Sequence, residues 1–328
     1  MKHLTHALLL LIGAACALAA LQARAAEADD YPKRPVKLIV PQSPGSSNDV
    51  LTRILAQSLG EELGQSIVIE NKAAASGLLG MEVGKNAPPD GYTLIAASPS
   101  GTTIAASLRK NLQYDPLNDF DYISMYAVLP NILVVTPSLP VTTLPQLIEY
   151  LRNAKGDVFM ASAGPGSQSH LAGAMLQQMA KFPSVHVPYK GGGPSVLAVI
   201  AGEAQWTITP ASAALGQVRG GKLRAIAQSL PQRTPLVPDV PAVAETVPGY
   251  SYSAWNGLIA PKGTPSAIIA KIRAALAKAV ARPELKEGFA RQGAGAVIDT
   301  PEEFRKLVQS EMESTAALVK AIDLKIDR

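Results

Sequence analysis

The sequence predicts an α/β protein built from mostly parallel sheets with helices on both faces. Short apolar segments alternate with amphipathic ones along residues 36–227, the pattern of strand–helix repeats. Apolar residues make up 47% of the 328 residues and charged residues 17%, which excludes a disordered chain. Because one domain usually takes ~100–200 residues, we expect two domains.

Nine short apolar segments, bounded by glycine, proline or polar residues, are interpreted as strands. They cover residues 36–40, 67–69, 93–96, 132–135, 158–161, 185–187, 206–208, 223–227 and 258–260. Residues 231–248 contain five prolines and few apolar pairs, so this stretch is predicted to be an extended connection.

Seven segments carry helix signals, and they cover residues 48–63, 142–154, 169–180, 194–201, 211–219, 264–281 and 300–322. In the first of them, leucines recur at i+4 spacing, Asn48 or Asp49 is the expected N-cap, and Gly64 suits the left-handed C-terminal position. The last begins with a Thr-Pro-Glu-Glu capping box at residues 300–303.

The N-terminus has the organisation of a secretory signal peptide over residues 1–25. Lys2 supplies the positive charge, an uncharged apolar run covers residues 7–21, and Ala23-Arg24-Ala25 fits a cleavage site. The run is shorter than the ~20 residues of a membrane span. We expect export to the periplasm; a membrane anchor, or a lipid on Cys16, is the alternative.

Removal of that segment leaves a mature chain with restricted chemistry. It retains no cysteine and two histidines, His170 and His186, and its net charge falls from +4 to +2 because Lys2 and Arg24 are lost. These counts exclude a thiol nucleophile, a disulfide framework and a cysteine zinc site. The near-neutral charge also argues against nucleic-acid binding.

Four predicted strand-to-helix loops are rich in glycine and small polar residues: residues 41–49, 98–103, 162–170 and 189–194. In parallel sheets ligands bind beyond the carboxyl ends of the strands, where helix N-termini present unpaired N–H groups and favour anions. Four such loops together suggest a polar cleft for a small carboxylate. The alternative is that each loop is a plain capped turn and that Lys190 is a solvated surface lysine.

Signals for catalysis or a cofactor are weak, and no cofactor and no metal are expected. The chain has no GxSxG elbow, and the glycine-rich loop at 162–170 carries Ser169 in place of the third glycine of a dinucleotide motif. Residues 216–222 match GxxxxGK, but Leu223 replaces the Ser or Thr of a P-loop, and the strand–helix order is reversed.

These loops, with several other segments in the same order, resemble the substrate-binding proteins of tripartite tricarboxylate transporters, the Bug family. The similar segments are residues 31–41 (YPxRPVxLIVP), 44–49, 88–94 (PPDGYTL), 114–120 (YDPxxDF), 161–164, 169–172, 187–192 (VPYKGG), 238–241 and 260–265 (APxGTP). Together they span essentially the whole mature chain.

The resemblance implies a two-lobed, periplasmic-binding-protein-like fold of the type II "Venus flytrap" kind. Such a protein captures a small solute, usually a carboxylate such as a di- or tricarboxylate or an aromatic acid, and passes it to a membrane transporter. It is expected to be a monomer and not an enzyme. Carried over, the ligand-binding residues are Ser46, Ser47, Asn48 and Asp49, with Ser98, Ser100 and Thr102 beside them, and Ser162, Gly166, Ser169, His170, Tyr189, Lys190, Gly191 and Gly192 across the cleft.

The chain departs from the family pattern at three places. Ser46 and Ser47 replace two glycines of the first loop, and Gln42 stands where an aromatic residue is common. Gln205 stands where members that bind amino acids often have aspartate, which argues against an α-amino ligand.

Lobe 1 is expected to comprise residues 26–128 and 231–328, and lobe 2 residues 129–230. The leading hypothesis is ligand capture by closure of the two lobes. Two alternatives differ in class. A sensory module would present the same ligand to a signalling partner, and an exported serine hydrolase would need His170 or His186 as its base.

Overall fold

The computed structural model describes residues 30–74, 77–109 and 111–321. The predicted signal peptide at 1–25 lies outside them. In the described part, none of the helices combines the length and apolar character needed to cross a bilayer.

Helices and strands alternate through most of the chain. The helices are α1 (Ser47–Leu63), α2 (Leu78–Lys85), α3 (Thr103–Leu108), α4 (Leu144–Asn153), α5 (Gln168–Ala180), α6 (Gly192–Ala201), α7 (Ala211–Arg219), α8 (Ser266–Ala281), α9 (Pro283–Arg291) and α10 (Pro301–Ala321). The strands are β1 (Val36–Val40), β2 (Ile67–Asn71), β3 (Thr93–Ala97), β4 (Phe120–Val135), β5 (Phe159–Ser162), β6 (Val185–Pro188), β7 (Trp206–Pro210), β8 (Arg224–Gln228), β9 (Ser253–Pro261) and β10 (Gly295–Ala296).

The strands form a mixed sheet in the order β2-β1-β3-β9-β4-β7-β5-β6, and β8 and β10 also pair with β4. Pairing is parallel where strand–helix repeats supply neighbouring strands, between β1 and its partners β2 and β3 and between β5 and its partners β6 and β7. It is antiparallel wherever β4 or β9 takes part. The predicted parallel arrangement thus holds within the strand–helix repeats, and the antiparallel pairs come from two long strands that join those repeats.

Strand β4 connects the two halves of the molecule. Its N-terminal part pairs with β9 as far as Pro130, opposite Ser253, and its C-terminal part pairs with β7 from Asn131 onward. We call the strands β1–β3, β9 and β10 with the first part of β4 the first half, and β5–β8 with the second part of β4 the second half. The sequence predicted only residues 132–135 of this 16-residue strand.

Each half has its own hydrophobic core on both faces of its sheet. In the first half, Leu51 and Phe289 belong to one cluster, and Met81 and Phe304 belong to the other. In the second half, Trp206 is fully buried in the larger cluster. Burial of this apolar surface is the main source of stability, at ~25 cal/mol per Å².

As predicted, the connection at 231–248 forms no strand or α-helix, but its predicted extended course is wrong, because bends and hydrogen-bonded turns, with a 3-10 turn at Val243–Glu245, make up most of it. Val237 and Val243 pack into the clusters of the second half, and the Tyr250 hydroxyl donates to the Ala172 carbonyl at 2.9 Å. The lobe boundaries at 128/129 and 230/231 stay predictions. From this packing we propose that the chain returns to the first half only near Tyr252.

Of the two predicted caps of α1, the C-cap is confirmed and the N-cap is wrong. The N-cap is Ser46, whose hydroxyl accepts from the Asp49 N–H at 3.3 Å, so the predicted cap at Asn48 or Asp49 was wrong by two or three residues. The helix starts earlier because a serine three residues before an acidic residue caps equally well. Gly64 has φ +67° at the C-cap, as predicted.

Candidate functional site

A cavity of about 420 Å³ lies between the two halves, and the N-termini of three helices open into it. The N-cap and first-turn residues of α1, α5 and α6 all line it: Ser46, Ser47, Asn48, Ser167, Gln168, Ser169, Gly191 and Gly192. The first N–H groups of a helix have no acceptor within that helix, and the helix dipole adds partial positive charge there. The cavity therefore has the electrostatics of an anion site.

Helix α1 is held at its start by contacts that leave its first turn facing the cavity. The Asn48 amide donates to the Ala96 carbonyl at 2.7 Å, and its oxygen accepts from Thr52 at 3.1 Å and from Tyr126 at 3.3 Å. Asn48 is 1% exposed. Its side chain anchors the helix to β3 and β4, which leaves the backbone N–H as its group for a ligand.

The Asp49 carboxylate is occupied by contacts within the protein. It accepts from Gly45 N–H and from the Asn71 amide, both at 2.9 Å, and forms an ion pair with Arg53 at 2.9 Å. Burial raises the pKa of this carboxyl, but the contacts with Arg53, Gly45 and Asn71 outweigh burial and hold the pKa below its usual value. Asp49 shapes the loop and stays ionised.

Helix α5 contributes the hydroxyl groups of two serines at its N-terminus. Ser167 caps the helix by accepting from the His170 N–H at 3.3 Å, and its hydroxyl lies 3.1 Å from that of Ser169. The Ser169 hydroxyl also accepts from the Ala163 N–H at 2.9 Å. One of the two hydroxyls donates to the other, so the pair retains one hydroxyl hydrogen that can be donated toward the cavity.

The two halves touch around the cavity, so the structure shows a closed cleft. The hydroxyls of Ser47 and Ser212 lie 2.5 Å apart, and the Gln168 N–H donates to the Ser100 hydroxyl at 3.4 Å. The Gln168 side chain donates to the Ser253 carbonyl at 2.6 Å. Gly191 packs against Ser43 so closely that a Cβ there would lie 1.9 Å from the Ser43 hydroxyl oxygen.

The cavity wall carries little charge. Among the described residues that line it, Lys190 is the only charged side chain, and it has no ion-pair partner in that part of the chain. No aspartate or glutamate is among those lining residues. Apolar side chains such as Trp255 complete the wall, and the Trp255 indole N–H donates to Glu311 at 2.7 Å. Burial raises the pKa of that Glu311 carboxyl to about 7.

The structure brings ten of the predicted site residues to the cavity. They are Ser46, Ser47, Asn48, Ser98, Ser100, Ser169, Tyr189, Lys190, Gly191 and Gly192. Whether each contacts a ligand stays a prediction.

The other five predicted site residues lie behind the wall. Asp49 holds the first loop, Thr102 donates to the Ser98 carbonyl at 2.9 Å, and the Gly166 N–H donates to His170 Nδ1 at 3.1 Å. Ser162 is fully buried, with its hydroxyl 2.5 Å from His186 Nε2. These residues position the loops, because their polar groups already have partners within the protein.

His170 and His186 stack face to face with ring centroids 3.7 Å apart. Burial lowers the pKa of each imidazole to about 4, and for His170 the neighbouring His186 adds to the effect. Ser162 is adjacent to a histidine, as in a nucleophile–base pair, but it does not line the cavity, so a substrate in the cavity cannot reach it.

We predict that this pair makes the protein less stable in acid. The unfolded chain binds protons below pH ~6.5, whereas the folded pair stays neutral down to about pH 4. The contribution of this pair to the free energy of unfolding therefore falls as the pH drops from ~6.5 to ~4 and changes no further below that range. Melting curves across this range should show a smaller fall for His186→Gln than for the wild type, whereas parallel curves would contradict the prediction.

Several residues that line the cavity are not among the predicted ligand-binding residues, although Gln42 was expected in the cleft wall. They are Gln42, whose amide donates to the Ser98 hydroxyl at 3.0 Å, together with Ser43, Ser167, Gln168, Thr209, Trp255 and Asn256. Gln205, by contrast, accepts from the Phe159 N–H at 2.8 Å and does not line the cavity. The identity of residue 205 therefore does not bear on whether the ligand carries an α-amino group. In the described part of the chain no cluster of three or more His, Cys, Asp or Glu is placed to hold a metal.

Comparison with known proteins agrees with this geometry. Residues 51–324 match the family model described as the tripartite tricarboxylate transporter family receptor. Protein BugT of Bordetella pertussis is 36% identical over 321 residues, which are 97% of this chain and 98% of that protein.

Two solved structures from Rhodopseudomonas palustris share the predicted two-lobed α/β fold. One, solved with adipate, has a TM-score of 0.86 at 30% identity and covers 90% of this chain and 99% of its own. MatC with bound malate has a TM-score of 0.83 at 31% identity and covers 88% and 100%. These relatives are solute-binding proteins, not enzymes. With the family model matching most of its length, the chain belongs to the tripartite tricarboxylate transporter receptors, the Bug family of solute-binding proteins.

Proposed function

We propose that this protein captures a small carboxylate between its two halves and delivers it to a tripartite tricarboxylate-type membrane transporter. The observation that carries the proposal is the convergence of the N-termini of α1, α5 and α6 on one cavity that holds Lys190 and, among its described lining residues, no acidic side chain. Neutral N–H and O–H donors suffice for a carboxylate, because charge-assisted hydrogen bonds contribute ~1.5–3 kcal/mol each.

Capture works by closure, since the donors come from both halves. Ser46 and Ser47 belong to the first half, while Ser169 and Gly192 belong to the second. A ligand bound by both sets has its full contacts only in the closed state, and it therefore shifts the equilibrium toward closure. We propose that the protein acts in the periplasm, because family members are periplasmic binding proteins and residues 1–25 have the features of a signal peptide.

The test is thermal unfolding of the mature protein with a panel of carboxylates, including adipate, malate, citrate and benzoate. A ligand at ~100 times its Kd should raise the free energy of unfolding by ~2.7 kcal/mol. Adipamide serves as the matched neutral control and should give no shift. Denaturing and refolding the protein first removes any ligand carried through purification. Stabilisation by neutral analogues alone, or by nothing in the panel, would overturn the carboxylate assignment.

A further inference from the structure

Asn256 has a buried amide that faces the cavity. It lies in β9, opposite Ala127 of β4, and is 2% exposed. In the part of the chain that the structure describes, neither its amide nitrogen nor its carbonyl oxygen has a hydrogen-bond partner. Buried polar groups are nearly always hydrogen-bonded, so an open amide on a cavity wall points to a group supplied from outside the protein.

The other buried asparagines near the cleft are used differently. Asn48 has partners for both its amide nitrogen and its oxygen, and the Asn131 nitrogen donates to the Ser229 hydroxyl and the Tyr252 carbonyl, while the Asn131 oxygen has no partner among the described residues. These side chains hold strands and helices together. Asn256 makes no such contact, and no described element of the fold depends on its amide.

Asn256 is also rigidly placed. It lies in β9, which pairs with β4 at Asn256 itself and with β3 from the next residue, Gly257, to Ile259. The preceding residue, Trp255, donates its indole N–H to Glu311 and packs against Phe304, so the strand is held in place beside Asn256. Binding groups on strands hold their geometry better than groups on loops.

The second half also has a buried polar side chain, Thr209, on the cavity wall. Thr209 of β7 is 1% exposed and lines the same cavity, and its hydroxyl has no partner within the described residues. Both open groups lie on strands that pair with β4, one on each side of its crossing point at Pro130. They therefore add neutral donors and acceptors to the cavity, apart from those at the helix N-termini.

The charge of the wall limits what these groups can recognise. An amide and a hydroxyl can donate to, or accept from, an oxygen-bearing group. An ammonium group buried there would need a carboxylate partner, and none of the described lining residues is acidic. From these observations we infer that Asn256 is a specificity-determining residue that binds a second oxygen function, a hydroxyl, oxo or further carboxyl group, on the carboxylate ligand. This inference rests on the proposed function.

The test measures affinity by calorimetry for a series of equal chain length: adipate, 6-hydroxyhexanoate, hexanoate and 6-aminohexanoate. In the wild type, adipate and 6-hydroxyhexanoate should bind at least ~10-fold more tightly than hexanoate. Asn256→Ala should remove that difference and leave hexanoate affinity within ~2-fold. Asn256→Asp, nearly isosteric, should weaken adipate and improve 6-aminohexanoate, because it adds the missing counter-charge. If adipate is not bound, the tightest carboxylate of the thermal panel replaces it, beside its analogue without the second oxygen function.

Exposed Asn111 provides the matched control, and Asn111→Ala should change no affinity. Thermal melts without ligand show whether each variant folds, and Asn256→Ser replaces the alanine variant if that one does not. Equal losses for all ligands, or no loss for any, in Asn256→Ala would overturn the inference while the proposed function stands. A wild type that binds no carboxylate would overturn the proposed function itself, and the inference with it.

Discussion

Gly191→Ala is expected to lower the affinity for a cleft ligand by about 100-fold or more and to leave each half folded. The Cβ would lie 1.9 Å from the Ser43 hydroxyl oxygen and 2.9 Å from its Cβ, and Ser43 belongs to the opposite half. A side chain at this position therefore holds the cleft open. A ligand that loses two charge-assisted hydrogen bonds from one half loses ~3–6 kcal/mol, a factor of ~10²–10⁴ in Kd.

Two controls separate closure from local backbone strain. Gly191 has φ +139°, so alanine is strained there in any case. Gly202→Ala also places alanine at a positive φ, +78°, where the strain is smaller because the residue lies in the left-handed helical region; it meets nothing within 4 Å and should bind like the wild type. In the double variant Ser43→Gly with Gly191→Ala the clash is removed, and much of the affinity should return. Calorimetry measures all four proteins, and small-angle scattering reports closure on adding ligand. Wild-type affinity in Gly191→Ala would contradict the role of this contact.

The outer parts of the sheet and the polar loops could be predicted from the sequence because both depend on local patterns. Strand–helix alternation placed β1 at residues 36–40 and α7 at residues 211–219 with the observed bounds. The loops before α1, α5 and α6 were recognised because glycine and hydroxyl residues precede apolar periodicity. These are the loops that converge on the cavity.

The cavity residues on strands were missed because their placement depends on long-range pairing. Asn256 lines the site only because β9 runs antiparallel between β3 and β4, and no local pattern specifies that pairing. One signal was available: Asn256 is a lone polar residue in the otherwise apolar run of residues 254–260. A buried strand position that carries an asparagine usually has a partner to satisfy, and here it faces the cavity.

The five predicted site residues that do not line the cavity show the opposite error: they were assigned to the ligand but bind the protein itself. Asp49, Ser162 and His170 are adjacent in sequence to residues that face the cavity, and sequence position alone does not tell which way a side chain points. Asp49 has three partners within the protein, in the loop, in α1 and in β2, and His170 stacks on a histidine from β6. Small polar residues at helix starts serve both purposes, since the same hydroxyl or carboxylate can cap a turn or bind a ligand.

Asn48→Ala follows from this distinction and should act mainly on stability. The substitution removes the donor to the Ala96 carbonyl and the acceptor for Thr52 and Tyr126. Tyr126 is fully buried, so its hydroxyl keeps only the Thr52 contact at 2.8 Å. Leaving buried polar groups unsatisfied costs ~1–3 kcal/mol each. A total of ~2–4 kcal/mol corresponds to a Tm lower by ~3–6 °C for a chain of this size.

Ligand affinity, measured well below the new Tm, should change by less than ~10-fold, because the backbone N–H at position 48 remains at the helix start. Asn153→Ala, at an exposed asparagine, is the matched control and should leave the Tm near that of the wild type. Tyr126→Phe combined with Asn48→Ala should cost less than the sum of the single variants, since both remove members of one hydrogen-bonded group. An unchanged Tm with a large loss of affinity would instead make the Asn48 amide a direct ligand donor. The anchoring of α1 to β3 and β4 would then depend on apolar packing alone.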